Sequence, residues 1–155
     1  MSEKKQSKTT TTEKSKEIKI VSKQVVTLSD IEKNPRLIKL LYIISLTNGI
    51  SEKALIQLLY LMKENGLDLN YKFINIANMI SSKDVLNELV MLKYAGLIEV
   101  IHRKIAITGL GKEFLSKKLD KLGNDAEVLK KLYSELKPKI APIDVEIDIK
   151  ARRKT

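Results

Sequence analysis

The chain contains no cysteine and no tryptophan, and His102 is its single histidine. Without cysteine it has no disulfide bonds, thiolate metal sites or cysteine nucleophiles. One histidine cannot build a histidine-rich metal site or a Ser-His-Asp triad unaided. Aromatic residues make up only 5% of the 155 residues, too few for a surface that stacks several single-stranded bases. No nucleophile–base pair or carboxylate dyad stands out, so we expect a protein that is not an enzyme and has no catalytic, cofactor or metal site.

A long hydrophobic run is also lacking. The longest uncharged stretch of the apolar middle covers residues 40–51, which is 12 residues and well below the ~20 that a spanning helix needs. The N-terminal sequence MSEKKQSKTTTTEKSKE has basic residues but no apolar segment, so it does not match a secretory signal. We therefore expect a cytoplasmic protein with no membrane partner.

Positive charge is in excess and unevenly distributed. The chain has 29 Lys and Arg against 19 Asp and Glu, a net charge of +10. Residues 1–24 and 102–123 each carry +4 and residues 124–155 carry +2, whereas the apolar stretch 25–101 is neutral. Such an excess favours a polyanionic partner, because binding releases counterions from phosphates. The alternative is the Lys- and Glu-rich composition of a heat-adapted protein.

Composition and periodicity divide the chain into four parts. Residues 1–16 are Lys, Thr, Ser and Glu after Met1, which predicts a disordered tail. Residues 17–28, EIKIVSKQVVTL, are rich in β-branched side chains and predict a strand or an extended arm. Residues 29–123 are predicted to form the main domain, and residues 124–155 to add a helix, a strand and a basic end.

Two helices are predicted in the first half of the main domain. Asn34 and Pro35 suit the start of the first, PRLIKLLYIISL, which is apolar on most sides and so typical of the middle of a domain. Ser51 caps the second, which ends at Gly66. The following apolar connection of about 15 residues has no clean period and holds a short strand or helical turn in our interpretation.

A third helix and a hairpin follow. Ser81, three residues before Asp84, forms a capping-box-like start, and Gly96 ends the helix. The period then changes to two, and the apolar segments LIEVI and IAIT are separated by His102, Arg103 and Lys104. This pattern predicts a hairpin with a basic tip.

The last third predicts two more helices and a final strand. Thr108 caps a helix that ends at Gly123, and Asp125 caps another that stops before Pro138. Residues 143–150, IDVEIDIK, alternate strictly and predict a strand. Its acidic face is interpreted as a solvated edge rather than a cation site; that face comprises Asp144, Glu146 and Asp148.

The stretch LVMLKYAGLIEVIHRKIAITGLGKEFL resembles the third helix, wing and following helix of archaeal and bacterial winged helix-turn-helix regulators of the MarR-like and PadR-like type. The matching positions are Leu92, Gly96, Leu97, Ile98, Thr108, Gly111, Phe114 and Leu115. The resemblance covers residues 35–122 and implies a mainly α fold with a small β hairpin (α+β), extended by C-terminal helices and a flexible basic N-terminal tail. It further implies a cytoplasmic, nucleoid-associated protein that binds duplex DNA and regulates transcription.

Nine residues are candidates for nucleic-acid contact: Ser82, Lys83 and Asn87 on the third helix, Arg103 and Lys104 at the hairpin tip, and Lys112, Lys117, Lys118 and Lys121 on the next helix. Asn87 can bond adenine edges, and Lys83 can contact phosphate or guanine. Met91 is also expected on the outward face. The third helix has no net charge, however, because Asp84 and Glu88 balance its lysines. Contact is therefore expected to be mainly electrostatic, through the hairpin and the tails.

Two alternatives on partners remain open. The neutral third helix and the apolar connection also suit a protein-interaction subunit of a replication, transcription or ribosome-associated assembly. The apolar positions of residues 115–136 exceed what a hairpin needs beneath it, and they either complete the core or form a homodimer seam. A homodimer would present two hairpins symmetrically to a duplex.

Overall fold

The computed structural model describes the backbone of residues 27–153 and the side chains of residues 27–150. Helices dominate, and two short antiparallel strand pairs complete an α+β fold, as predicted. The elements are α1 (Leu28–Glu32), α2 (Pro35–Leu46), α3 (Glu52–Glu64), β1 (Ile74–Ile76), β2 (Met79–Ser81), α4 (Lys83–Tyr94), β3 (Ile98–Ile101), β4 (Lys104–Ile107), α5 (Gly109–Leu122) and α6 (Asn124–Arg153).

Helix α2 is the centre of the hydrophobic core, as its sequence predicts. The Asn34 side chain accepts a hydrogen bond from the Arg36 amide, and Pro35 occupies the first turn. Six apolar side chains on several sides of the helix are buried. They contact α1, α4, α5, α6 and β4. A helix surrounded in this way gains most of its stability from packing rather than from propensity.

Helices α3 and α4 begin at serine caps. Ser51 caps α3 as predicted, its side chain accepting a hydrogen bond from the Ala54 amide at 3.1 Å. The cap of α4 is Ser82, which accepts from the Val85 amide at 3.3 Å. The prediction of Ser81 as the cap was therefore wrong by one residue, because Ser81 is the last residue of β2.

The connection between α3 and α4 contains the β1–β2 hairpin. Ile74 pairs with Ser81 and Ile76 with Met79, around a two-residue turn at Ala77 and Asn78. The hairpin packs on α3.

The β3–β4 hairpin is also closed by a two-residue turn, and it gains a third partner on one side. His102 and Arg103 form the turn, both at positive φ (51° and 69°), which is the type I′ geometry. Ile105 exchanges two backbone hydrogen bonds with Ile50, the residue between α2 and α3. The order across this small sheet is Ile50, β4, β3.

A tight corner joins β4 to α5. The Thr108 hydroxyl accepts a hydrogen bond from the Gly111 amide at 2.9 Å and donates one to the Gly96 carbonyl at 2.7 Å. A Cβ at Gly111 would lie 2.2 Å from the Leu97 carbonyl oxygen, so only glycine fits this approach.

Two predictions for the C-terminal part were wrong. Helix α6 does not stop before Pro138 but continues through Pro138 and Pro142 to Arg153, and residues 143–150 form no strand. Both prolines are exposed, so the carbonyls that lose their helical donors can be hydrated. Asp125 lies within the first turn of α6 and forms an ion pair with Lys39 instead of capping the helix.

The alternating segment is helical because its apolar residues also satisfy a helical spacing. Ile143 and Ile147 lie four residues apart and continue a buried stripe on α6. Val145 and Ile149 also lie four residues apart, but they are exposed on the other side of the helix. The stripe alternates steps of four and three residues, as in helices that pack along their length, and it comprises Leu129, Tyr133, Leu136, Ile140, Ile143 and Ile147.

The predicted tail (1–16) and most of the predicted strand or arm (17–28) lie outside the described residues. Within the described part, Leu28 begins α1, so the extended segment does not continue that far. Thr27 caps this helix and forms a reciprocal capping box with Asp30.

Candidate nucleic-acid interface

The outer face of α4 is open to solvent. Lys83, Asn87, Val90 and Tyr94 are all exposed, and their spacing of four, three and four residues places them on one side of the helix. Tyr94 is the most exposed of the large hydrophobic side chains, at 63%. Lys83 and Asn87 therefore lie where the sequence predicts. Val90 and Tyr94 were missed, although a helical spacing counted from Lys83 would have found them.

Two residues expected on this face are not there. Ser82 is only 1% exposed, because its hydroxyl caps the helix. Met91 is half-buried and packs against the core. Their expected outward placement was therefore wrong.

Glu88 does not add negative charge to the open face, because it points into the protein. Its side chain forms an ion pair with Arg36 on α2, and its Oε1 accepts a hydrogen bond from the Tyr71 hydroxyl at 2.6 Å. The Arg36 guanidinium also donates to the Asn70 carbonyl and lies 4.4 Å from the centre of the Tyr71 ring. Burial, together with the bond to the Glu88 carboxylate, raises the pKa of Tyr71 far above its usual value.

This buried cluster of Arg36, Tyr71 and Glu88 holds α2, α4 and the α3–α4 connection in one arrangement. Asp84 is also occupied, since its carboxylate accepts the Lys72 amide at 3.0 Å. The carboxylates of α4 are therefore structural, and the expected repulsion of a duplex by Glu88 was wrong.

At the β3–β4 hairpin, only Arg103 is the predicted free cation at the tip. Arg103 is exposed and has no ion pair within the described residues. Lys104 lies in β4 rather than at the tip, and its Nζ lies 2.9 Å from Oδ2 of Asp148 on α6. His102 is exposed in the turn beside Arg103.

The α5 lysines do not form a continuous basic patch with α4. Helix α5 packs against α2, α6 and the corner at Gly96. Lys118 is ion-paired with Glu32 of α1. The exposed face of α5 carries mixed charge, from Lys112, Glu113, Lys117, Asp120 and Lys121.

A cleft lies between α4 and the β3–β4 hairpin, with a volume of about 350 Å³. We call it the α4–β3 cleft; its lining is Glu52, Leu86, Leu89, Val90, Lys93, Ile98, Val100 and Ile105. The floor is apolar, and one carboxylate and one ammonium group are part of its lining. Sequence reasoning missed this cleft because it arises from the angle between a helix and a sheet, which periodicity does not report.

Two searches of the described residues bear on other kinds of site. In that part of the chain no group of three or more His, Asp or Glu side chains is placed to hold a metal ion. None of the described helices is long and apolar enough to cross a membrane. Comparisons of the chain with protein-family models, with curated proteins and with solved structures gave no match.

Proposed function

We propose that this protein is a non-enzymatic winged helix-turn-helix protein that binds duplex DNA and regulates transcription. The element order supports this proposal. Helices α2, α3 and α4 precede the β3–β4 hairpin, which corresponds to the wing, and α4 has the position of the recognition helix. The bridge between Ile50 and Ile105 supplies the third segment of the small sheet.

The open face of α4 is the single observation that carries the proposal. Lys83 stands at the first turn of α4 and Asn87 one turn later, and both are exposed. The N-terminal half of a recognition helix is the part that approaches base edges. Lys83 is suited to a phosphate and Asn87 to the N6 and N7 atoms of adenine.

Electrostatic contact is assigned to the hairpin tip and the chain ends. Arg103 is the exposed cation of the tip. The backbone of α6 continues five residues beyond Asp148, whose partner Lys104 adjoins the tip, a distance of about 7.5 Å along the helix axis. The basic sequence KARRK begins within this extension, so the end of α6 and the hairpin tip can reach the same phosphates. A nucleoid-associated protein of the cytoplasm would act in this way.

A homodimer through the helices after the wing also belongs to this proposal. The exposed side of α6 carries a second apolar stripe, with Pro138, Pro142, Val145 and Ile149 at steps of four, three and four residues. These residues line a surface groove together with Ala141, Glu146 and Lys150. Pairing two such stripes would bury them and place two recognition helices on one duplex.

The test is the salt dependence of binding to a pool of random duplexes. Each lost phosphate contact lowers the slope of log K against log salt by about 1. We expect Lys83→Ala and Arg103→Ala each to lower it by about 1, whereas Lys131→Ala, an exposed lysine on α6, serves as the matched control. Equal slopes for all three variants and the wild type would reject DNA binding through this face.

A second candidate function is a protein-interaction subunit, and the apolar character of the α4–β3 cleft favours it. Val90 and Val100 line the cleft and are about half exposed. The β1–β2 hairpin adds exposed Ile74, Ile76 and Met79 on one face. Purification from native lysate with and without nuclease separates the candidates, since a stoichiometric polypeptide retained after digestion supports this reading and its loss counts against it.

A further inference from the structure

The free edge of β3 presents unpaired backbone groups. The amide and carbonyl of Ile105 bond to Ile50 at 2.7 and 3.0 Å, so they point away from β3. Val100 stands opposite Ile105 in the register, and in an antiparallel ladder its own amide and carbonyl must then point away from β4. No described strand lies on that side.

The α4–β3 cleft lies beside the same edge. Ile98 and Val100 point to one face of β3 and both line the cleft. Ile98 is buried, but Val100 is 51% exposed, and Val90 on the facing helix is 49% exposed. A strand added to β3 would place alternate side chains over these two valines.

The chain outside the described residues ends close to this edge. Leu28, at the start of α1, shares a surface pocket with Leu110 and Phe114 of α5. The Leu110 side chain reaches to 3.4 Å from the Cβ position of Gly96, two residues before β3. The segment that precedes Thr27 therefore enters the described structure near the first residue of β3.

We propose that residues 18–26 of this chain add to the free edge of β3 as an antiparallel strand and cover the α4–β3 cleft. The direction follows from the connection, since the segment must end near the start of β3. Its nine residues reach about 30 Å when extended, more than the four residues of β3 need.

The composition of IKIVSKQVV fixes which face turns inward. With Ile18, Ile20 and Val26 toward the cleft, Lys19 and Lys23 point away from it. The opposite phase would place both lysines against the apolar floor, next to Lys93. The favoured arrangement pairs the backbone edge, fills the cleft, and adds two lysines to the wing.

Cross-linking tests the proposal directly, because the chain has no cysteine of its own. Glu99 is exposed and points away from the cleft face. Relative to an added strand it forms a non-hydrogen-bonded pair, the closer kind. Glu99→Cys is combined in full-length protein with single cysteines at each of residues 18–26. The matched control replaces Glu99→Cys by Lys131→Cys on exposed α6.

The expected result is a disulfide within one chain whose yield is high for cysteines at odd positions and low at even ones. Yields equal to those of the Lys131→Cys control, or disulfides that form only between two chains, would overturn the proposal. The latter outcome would assign the cleft to a second copy.

Amide hydrogen exchange provides an independent measurement on the full chain without DNA. We expect the Val100 amide to exchange at least about tenfold more slowly in wild type than in an Ile18→Ser, Ile20→Ser variant. The Ala106 amide, paired with Glu99 inside the hairpin, is the internal control. Unprotected Val100 in wild type would reject the added strand, and DNA binding through α4 would be unaffected by that result.

Discussion

Lys104 on β4 and Asp148 on α6 form an ion pair, with Nζ 2.9 Å from Oδ2. The pair fastens the base of the hairpin tip to the C-terminal helix. It also neutralises one of the two cations that the sequence assigns to the tip, so Arg103 alone remains there without a described carboxylate partner.

Removing Asp148 should therefore strengthen DNA binding. In Asp148→Asn the Lys104 ammonium becomes available to a phosphate, and we expect the slope of log K against log salt to steepen by up to about 1. The cost in stability should stay below about 1 kcal/mol, because both side chains are partly exposed. Salt titrations of duplex binding and urea unfolding measure the two effects.

The matched control for this prediction is Glu146→Gln. It makes the same change in net charge, but Glu146 pairs with Lys150 on the exposed side of α6. If both variants steepen the slope equally, the effect comes from net charge and not from release of Lys104.

The buried Tyr71 predicts a loss of stability at alkaline pH. Its pKa is raised in the folded state above the model value of 10.0, mainly by burial and by the hydrogen bond to Glu88. Above pH 10 the unfolded tyrosine loses its proton while the folded one retains it. Stability should therefore be fully present below pH 10 and fall by up to about 1.4 kcal/mol per pH unit above it.

Tyr71→Phe should make this alkaline decline shallower, while costing about 1.5–3 kcal/mol at neutral pH through the lost bond to the carboxylate. Tyr94→Phe, at an exposed tyrosine without a described hydrogen bond, is the control. Urea unfolding at pH 8 and pH 11 measures both. An identical pH dependence in wild type and Tyr71→Phe would contradict the linkage.

The close approach of Gly111 to Leu97 predicts a strong position dependence of alanine substitution. Gly111→Ala places a methyl group 2.2 Å from a backbone oxygen, so we expect a loss of more than about 2 kcal/mol. Gly109→Ala, two residues earlier, meets nothing within 4 Å and should change stability by less than about 0.5 kcal/mol. Thermal or urea unfolding compares them, and similar losses at both positions would show that the corner can relax.

Local chemistry made most of the helices predictable. Asn34, Ser51 and Thr108 cap the helices that the sequence assigns to them, because a short polar side chain before an apolar period has few other uses there. The failures came where one pattern fits two periods. Residues 143–150 alternate as a strand would, yet Ile143 and Ile147 also continue a helical stripe that began at Leu129.

The candidate interface was predictable only in part. Lys83, Asn87 and Arg103 are exposed as predicted, since a solvated helix face and a turn follow from local pattern. The pairing of Lys104 with Asp148, 44 residues later, and of Glu88 with Arg36, 52 residues earlier, depends on tertiary packing. No local spacing reports such contacts, and they decide which charges remain for a partner.

The positive φ of Arg103 separates stability from binding at the hairpin tip. A residue at φ 69° carries the steric cost of left-handed backbone, which glycine avoids. Arg103→Gly should therefore stabilise the protein by about 0.5–1 kcal/mol relative to Arg103→Ala. Both variants should lose the same phosphate contact, about 1 in the salt slope. If Arg103→Gly instead binds duplex DNA with the wild-type slope, the tip makes no phosphate contact, and the basic chain ends must carry the electrostatic part of binding.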